Sequence, residues 1–141
     1  FSYTRPSDNG QYNGEIVTFG SFAATFAAGD LIVLCDNSGS PQWKLADSNS
    51  TEELATGMLG IALGANPDAG ILVRGFARST TYSALADGGK VYISGTAGDM
   101  TTTIPTASGD YVRIVGYVID SVSLSYGEIY FCPDNTYVEL S

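Results

Sequence analysis

Four glycine-bounded apolar runs recur in the same order in both halves of the chain, and this recurrence narrows the possible folds more than any other feature. In the first half, Gly29-Asp30-Leu31-Ile32-Val33-Leu34 leads into the turn signal Asp36-Asn37-Ser38-Gly39. Trp43-Lys44-Leu45-Ala46, Met58-Leu59-Gly60-Ile61-Ala62-Leu63 and Gly70-Ile71-Leu72-Val73-Arg74-Gly75-Phe76 follow. The second half repeats the order with Gly89-Lys90-Val91-Tyr92-Ile93-Ser94, then Gly95-Thr96-Ala97-Gly98 and Asp99-Met100-Thr101-Thr102. Arg113-Ile114-Val115-Gly116-Tyr117-Val118 and Gly127-Glu128-Ile129-Tyr130-Phe131 complete it. The matched glycines Gly29/Gly89, Gly39/Gly98, Gly60/Gly116 and Gly70/Gly127 lie 60, 59, 56 and 57 residues apart. A near-constant offset over four markers predicts a duplicated unit of four strands.

Runs of β-branched and aromatic residues between Gly, Asp, Asn and Pro predict the strands. They fall at 15–19, 30–35, 42–46, 57–63, 70–78, 89–94, 99–103, 111–120, 127–132 and 136–140. In Tyr111 to Val118 the alternation puts Val112, Ile114, Gly116 and Val118 on one face, with Tyr111, Arg113, Val115 and Tyr117 on the other. Gly60 and Gly116 sit mid-strand, where glycine marks a bulge or a close backbone approach. Ser50 to Ala55, with a capping residue and early carboxylates, predicts one helical turn, and Tyr82 to Ala86 a second.

The fold expected is all-β: a small barrel or sandwich of two pseudo-repeated four-stranded units, with short helical turns in loops. Residues 1–27 are an N-terminal arm and first strand. Residues 28–141 are the duplicated domain, with repeats at about 28–78 and 88–132 and a C-terminal strand at 136–140. Asn9-Gly10 and Asn13-Gly14 make residues 1–14 read as an extended arm or a hairpin turn. Its aromatic residues Phe1, Tyr3 and Tyr12 are the candidate assembly contacts, expected to reach a neighbouring subunit or the lattice on which the chain assembles.

Six basic residues against fifteen acidic ones give a formal charge of −9. That argues against nucleic acid, whose phosphates need clustered Lys and Arg, and against anionic membrane surfaces. With no histidine in the chain, Ser-His-Asp and Cys-His nucleophiles and the usual zinc sites are excluded. Glu52-Glu53 is a carboxylate pair on paper, but adjacent side chains diverge and cannot flank one bond. Asp36 to Gly39 offers oxygens at alternating positions without the closing Glu of a calcium loop, so a plain hairpin is expected. Asn49-Ser50-Thr51 is a formal glycosylation acceptor only. No catalytic, cofactor or metal residue is assigned. Cys35 and Cys132 end apolar runs and are expected to be buried thiols, not a bridge. Trp43 and the tyrosines belong to core or cross-strand pairs, the alternative being a recognition face of Tyr92, Tyr111, Tyr117 and Tyr130.

From about residue 28 to the end, these patterns resemble β-rich virion domains of tailed bacteriophages. The residues carrying the resemblance are Trp43 to Asp47, Gly57 to Gly64, Ile71 to Phe76, Gly89 to Ser94, Gly109 to Tyr117 and Ile129 to Leu140. Such domains occur in capsid decoration (cement) proteins and at the C-terminal ends of fibres. The resemblance implies a non-enzymatic virion structural protein, a homo-oligomeric decoration protein first of all, with a trimer favoured. Its partners would be itself and the major capsid protein or other virion proteins. Alternatives are a host-recognition domain of a tail or head fibre, or a subunit of a self-assembling tube.

Overall fold

A computed structural model describes residues 4–8, 10–86, 88–123 and 126–141, the side chains of 121–123 excepted. Twelve strands follow in chain order: β1 Gln11–Val17, β2 Ser21–Phe22, β3 Leu31–Asn37, β4 Ser40–Leu45, β5 Leu59–Ala62, β6 Ile71–Ser79, β7 Lys90–Ile93, β8 Met100–Thr101, β9 Tyr111–Val112, β10 Ile114–Ser123, β11 Tyr126–Phe131 and β12 Val138–Glu139. Among the described residues helix is confined to α1, Glu53–Thr56, and to 3-10 turns at Pro67–Ala69 and Thr80–Tyr82. The all-β expectation therefore holds, and each predicted strand corresponds to an observed one within a few residues.

Two helical details differ from expectation. Glu52 stands at the start of α1 without a side-chain capping bond. The second turn begins at Thr80, two residues early, because the Ser79 hydroxyl accepts the Thr81 amide there.

Nine strands pair in the order β2-β4-β3-β5-β6-β11-β10-β7-β8, β1 pairs with β6, and β9 and β12 form a separate ladder. Outward from the β6–β11 pair the neighbours are β5, β3 and β4 on one side and β10, β7 and β8 on the other. β1 lies along β6 from Ile71 to Arg78. β5 and β11 therefore share the opposite edge of β6, β5 at Ile71–Leu72 and β11 at Gly75–Ser79. The two wings that leave this edge meet again at their far ends. There the Gly98 amide donates to Ala46 O (2.8 Å), the Ser48 amide to Ser94 O (3.0 Å) and the Tyr111 amide to Ser48 O (2.8 Å).

Between the wings lies the larger core cluster, with Leu31, Val33, Leu59 and Ile61 from one and Val91, Ile93, Val115 and Phe131 from the other. The outer face of β3–β5 is also covered: Ile32, Trp43, Ala62 and Ile71 pack with Phe26 and the flanking Phe22. Burial on both faces explains why Leu31-Ile32-Val33-Leu34 is continuously apolar and does not alternate. At the β3–β4 hairpin, Ser38 (φ 52°) and Gly39 (φ 90°) form a two-residue turn with the Gly39 amide on Asp36 Oδ1 (3.0 Å). Asp36 to Gly39 is thus the hairpin expected.

Two expectations are corrected. Residues 11–14 do not extend away as an arm: they are the start of β1, docked on β6 in antiparallel register. The Asn13-Gly14 pair, read as a turn signal, is strand. Gly14 lies directly opposite Gly75, and a Cβ on either would overlap the other strand's backbone. The glycines let two strands approach closely instead of reversing the chain.

The face assignment at 111–118 is the second correction. Tyr111, Arg113 and Val115 point inward, and only after Gly116 does Val118 take the inward position and Tyr117 the outward one. The cause is a bulge between Ile114 and Gly116 in the β7–β10 ladder, which breaks the two-residue period.

Candidate functional site

Glu128 has a fully buried side chain, although it stands between apolar residues on β11. Its cross-strand neighbours are Arg78 on β6 and Asp120 on β10. Arg5 lies over them, its Nε 2.6 Å from Glu128 Oε2 and its Nη2 3.8 Å from Asp120 Oδ2. The hydrogen bond to Glu128 and its charge raise the Arg5 pKa above its ordinary value. Arg78 brings Nη1 within 3.9 Å of Glu128 Oε1, donates Nη1 to Pro6 O (3.3 Å) and rests over the Tyr126 ring at 4.8 Å. Glu128 Oε1 and Arg78 Nε have no hydrogen-bond partner among the described residues. These charges latch the N-terminal segment to the body. Water-poor burial strengthens their attraction while making each partner costly to remove.

Tyr12 belongs to the same docking. Half-buried, it packs against the larger core cluster, and burial pushes its hydroxyl pKa up, opposed by a hydrogen bond with Ser79. It therefore makes a contact within the chain. Phe1 and Tyr3, its companions among the candidate assembly contacts, lie outside the described residues.

A second charge is buried at Arg113. Its Nε donates to Asp134 O (2.6 Å), and its Nη1 to Ala55 O (3.0 Å) and Gly57 O (2.6 Å). Burial lowers its pKa from the usual range, while the charges of Asp134 and Tyr137 oppose that shift. The guanidinium ties α1 to the stretch after β11 and lines an open cleft of about 460 Å³ that also contains Arg74 and Glu15.

The third feature is apolar. Ile104, Tyr137 and Val138 are exposed at 50%, 39% and 56%. They border a cavity of about 240 Å³ with Tyr92, Val112 and Ile114 behind it. The β9–β12 ladder, pairing Val138 with Val112, supports this surface, and the Tyr111 and Tyr137 rings meet at 6.2 Å.

Other candidate residues are dispersed. Trp43 is wholly buried and donates Nε1 to Phe19 O (2.9 Å), so it is core. The four tyrosines do not form one exposed face: Tyr111 is buried, Tyr117 exposed, Tyr92 half-buried at the apolar cavity and Tyr130 half-buried with its ring tilted against Phe76 at 5.1 Å. Glu53 pairs with Lys44 at 3.2 Å, and Glu52 stands at the start of α1. Cys35 is a buried free thiol and Cys132 a half-buried one. Burial raises both thiol pKa values. Among the described residues no three His, Cys, Asp or Glu side chains gather as a metal site. No helix there is long and apolar enough to cross a membrane.

Arg113, Glu128 and the Ile104–Tyr137–Val138 surface escaped the sequence reading. The only signal was a charged residue inside an apolar run, Val112-Arg113-Ile114 and Gly127-Glu128-Ile129. No protein-family model, curated protein or solved structure matches the chain.

Proposed function

We propose that this chain is a non-enzymatic structural domain of a tailed-phage virion, a homo-oligomeric capsid decoration protein made of two copies of one four-stranded unit closed into a small barrel. The exposed apolar surface of Ile104, Tyr137 and Val138 carries the reading, because such a surface calls for a protein partner. Two further observations support it. The strand order has the same sequence of pairings outward from β6–β11 in both directions, and Gly60 and Gly116 occupy corresponding strands β5 and β10. Both buried charge centres of the described residues hold segments of the chain together, Glu128 through Arg5 and Arg78 and Arg113 through three carbonyls.

Copy number in purified particles tests the role. Hundreds of copies are expected for decoration, whereas a few tens or fewer would move the reading to a fibre domain that recognises a host surface. Light scattering of the isolated chain tests the surface: a closed oligomer, a trimer first, should dissociate in Val138→Glu. A chain that stays monomeric at all concentrations and is absent from particles overturns the proposal.

A further inference from the structure

We propose that the cleft between Arg74 and Arg113 binds a peptide carboxylate flanked by an apolar side chain, contributed by another protein. The inference stands on the cleft itself, whatever assembly the chain enters. Two of only six basic residues in a chain of formal charge −9 line the cleft beside one carboxylate, Glu15, which leaves the lining net positive in an acidic molecule. Arg113 is 3% exposed and is fixed by three backbone carbonyls, so its guanidinium is already in place before any ligand arrives. Those carbonyls satisfy donors without neutralising the charge, which the Asp134 carboxylate offsets only from beyond ion-pair distance. No carboxylate of the described residues lies within ion-pair distance of it. A desolvated cation of this kind attracts an anion more strongly than one in bulk water does.

The ligand class follows from what the cleft offers. Nε and one Nη of Arg113 are committed to carbonyls, so the two-pronged grip that carboxylate and phosphate share is largely spent and a single contact is left to it. Glu15, which pairs across β1–β6 with Arg74, stands on the lining and disfavours a dianion. Met58, Leu59, Val73 and Pro133 line the same cleft, with Met58 42% exposed. An apolar wall beside a single positive focus matches a carboxylate next to a Leu-like side chain. Capture of such carboxylates is a recurring mode of peptide recognition.

The test is a ¹H–¹⁵N titration of the full chain with N-acetyl-leucine. Saturable shifts are expected at Gly57, Met58, Leu59 and the Arg74 and Arg113 Nε–H groups. N-acetyl-leucine amide, which lacks the charge, should give none at the same concentration. Arg74→Gln should weaken binding at least about tenfold, the equivalent of one charge-assisted contact, and Arg74→Lys should restore part of it. The inference is overturned if no saturable shift occurs, if the amide binds equally, or if Arg74→Gln changes nothing. Glucuronate binding as tightly as N-acetyl-leucine would overturn it too, because the apolar wall would then play no part.

Discussion

Arg5 Nε lies 2.6 Å from Oε2 of Glu128, pairing a half-exposed arginine near the start of the chain with a carboxylate that has no exposed surface, 123 residues away. The contact makes the N-terminal segment part of the fold. It also ranks the charges. Glu128→Ala strands Arg78, only 14% exposed, and should cost about 3–5 kcal/mol, as removal of one partner of a buried pair does. Glu128→Gln keeps the shape and should cost less, and Arg5→Ala least, because solvent replaces its half-exposed guanidinium. Urea unfolding of the three variants checks the order, and Arg5→Ala proving the most damaging would refute it.

Gly116 and Gly60 yield a packing prediction. A Cβ on Gly116 would overlap the Tyr130 carbonyl, and one on Gly60 would overlap Ile71 Cγ2 and press on the Trp43 ring at 3.4 Å. Overpacking of this sort costs about 1–3 kcal/mol. Gly116→Ala should be the worse of the two, since backbone yields less than the Ile71 side chain. The single buried tryptophan gives the readout, its emission shifting to the red as each variant unfolds.

Most of the strands were legible because their apolar runs are long and their turns carry diagnostic residues, as in Leu31 to Gly39. What failed was local reading where a tertiary neighbour decides. Asn13-Gly14 has the chemistry of a turn, but β6 presents Gly75 opposite it and the pair becomes flush strand. The single alternation read through 111–118 failed at Tyr117 and Val118 because a bulge at Ile114/Gly116 shifts the period, and a bulge depends on its partner strand. Glu128 reads as a solvent residue until Arg78 and Arg5, far away in sequence, are known to cover it.

Alkaline stability rests on the buried tyrosines. Tyr82 is fully buried with its hydroxyl on Gly29 O (3.1 Å), and desolvation raises its pKa well above the ordinary value, with Tyr12 raised as well. A phenol whose folded pKa is raised contributes nothing adverse below its unfolded pKa of about 10. Above that the unfolded state releases the proton more readily, so stability falls as pH rises toward the folded value. Stability should be flat from neutral pH to about 9 and drop steeply beyond 10. Tyr82→Phe should lose about 1 kcal/mol at neutral pH through the missing hydrogen bond, yet show a shallower alkaline decline. An unchanged slope between pH 10 and 12 in that variant would exclude the mechanism.

The N-terminal segment gives the last prediction, and here the structure reverses what its polar, turn-rich sequence suggests. Deleting residues 1–14 removes Arg5 from the buried Glu128, takes Tyr12 off the core cluster and leaves Gly75 to Arg78 without their β1 partners. Ile16 and Val17 remain on Leu72 and Ile71 but lose the strand that holds them in register. The truncated chain should therefore unfold at a lower urea midpoint than the full chain. It should also aggregate more readily, because an unpaired β6 edge is a template for another strand. A milder variant separates the two contributions: Tyr12→Ala keeps the ladder and should lower the midpoint less than the deletion. Sedimentation and circular dichroism at matched concentration check both effects. A truncated chain with an unchanged midpoint and no added association would mean that β1 rests on β6 without stabilising it.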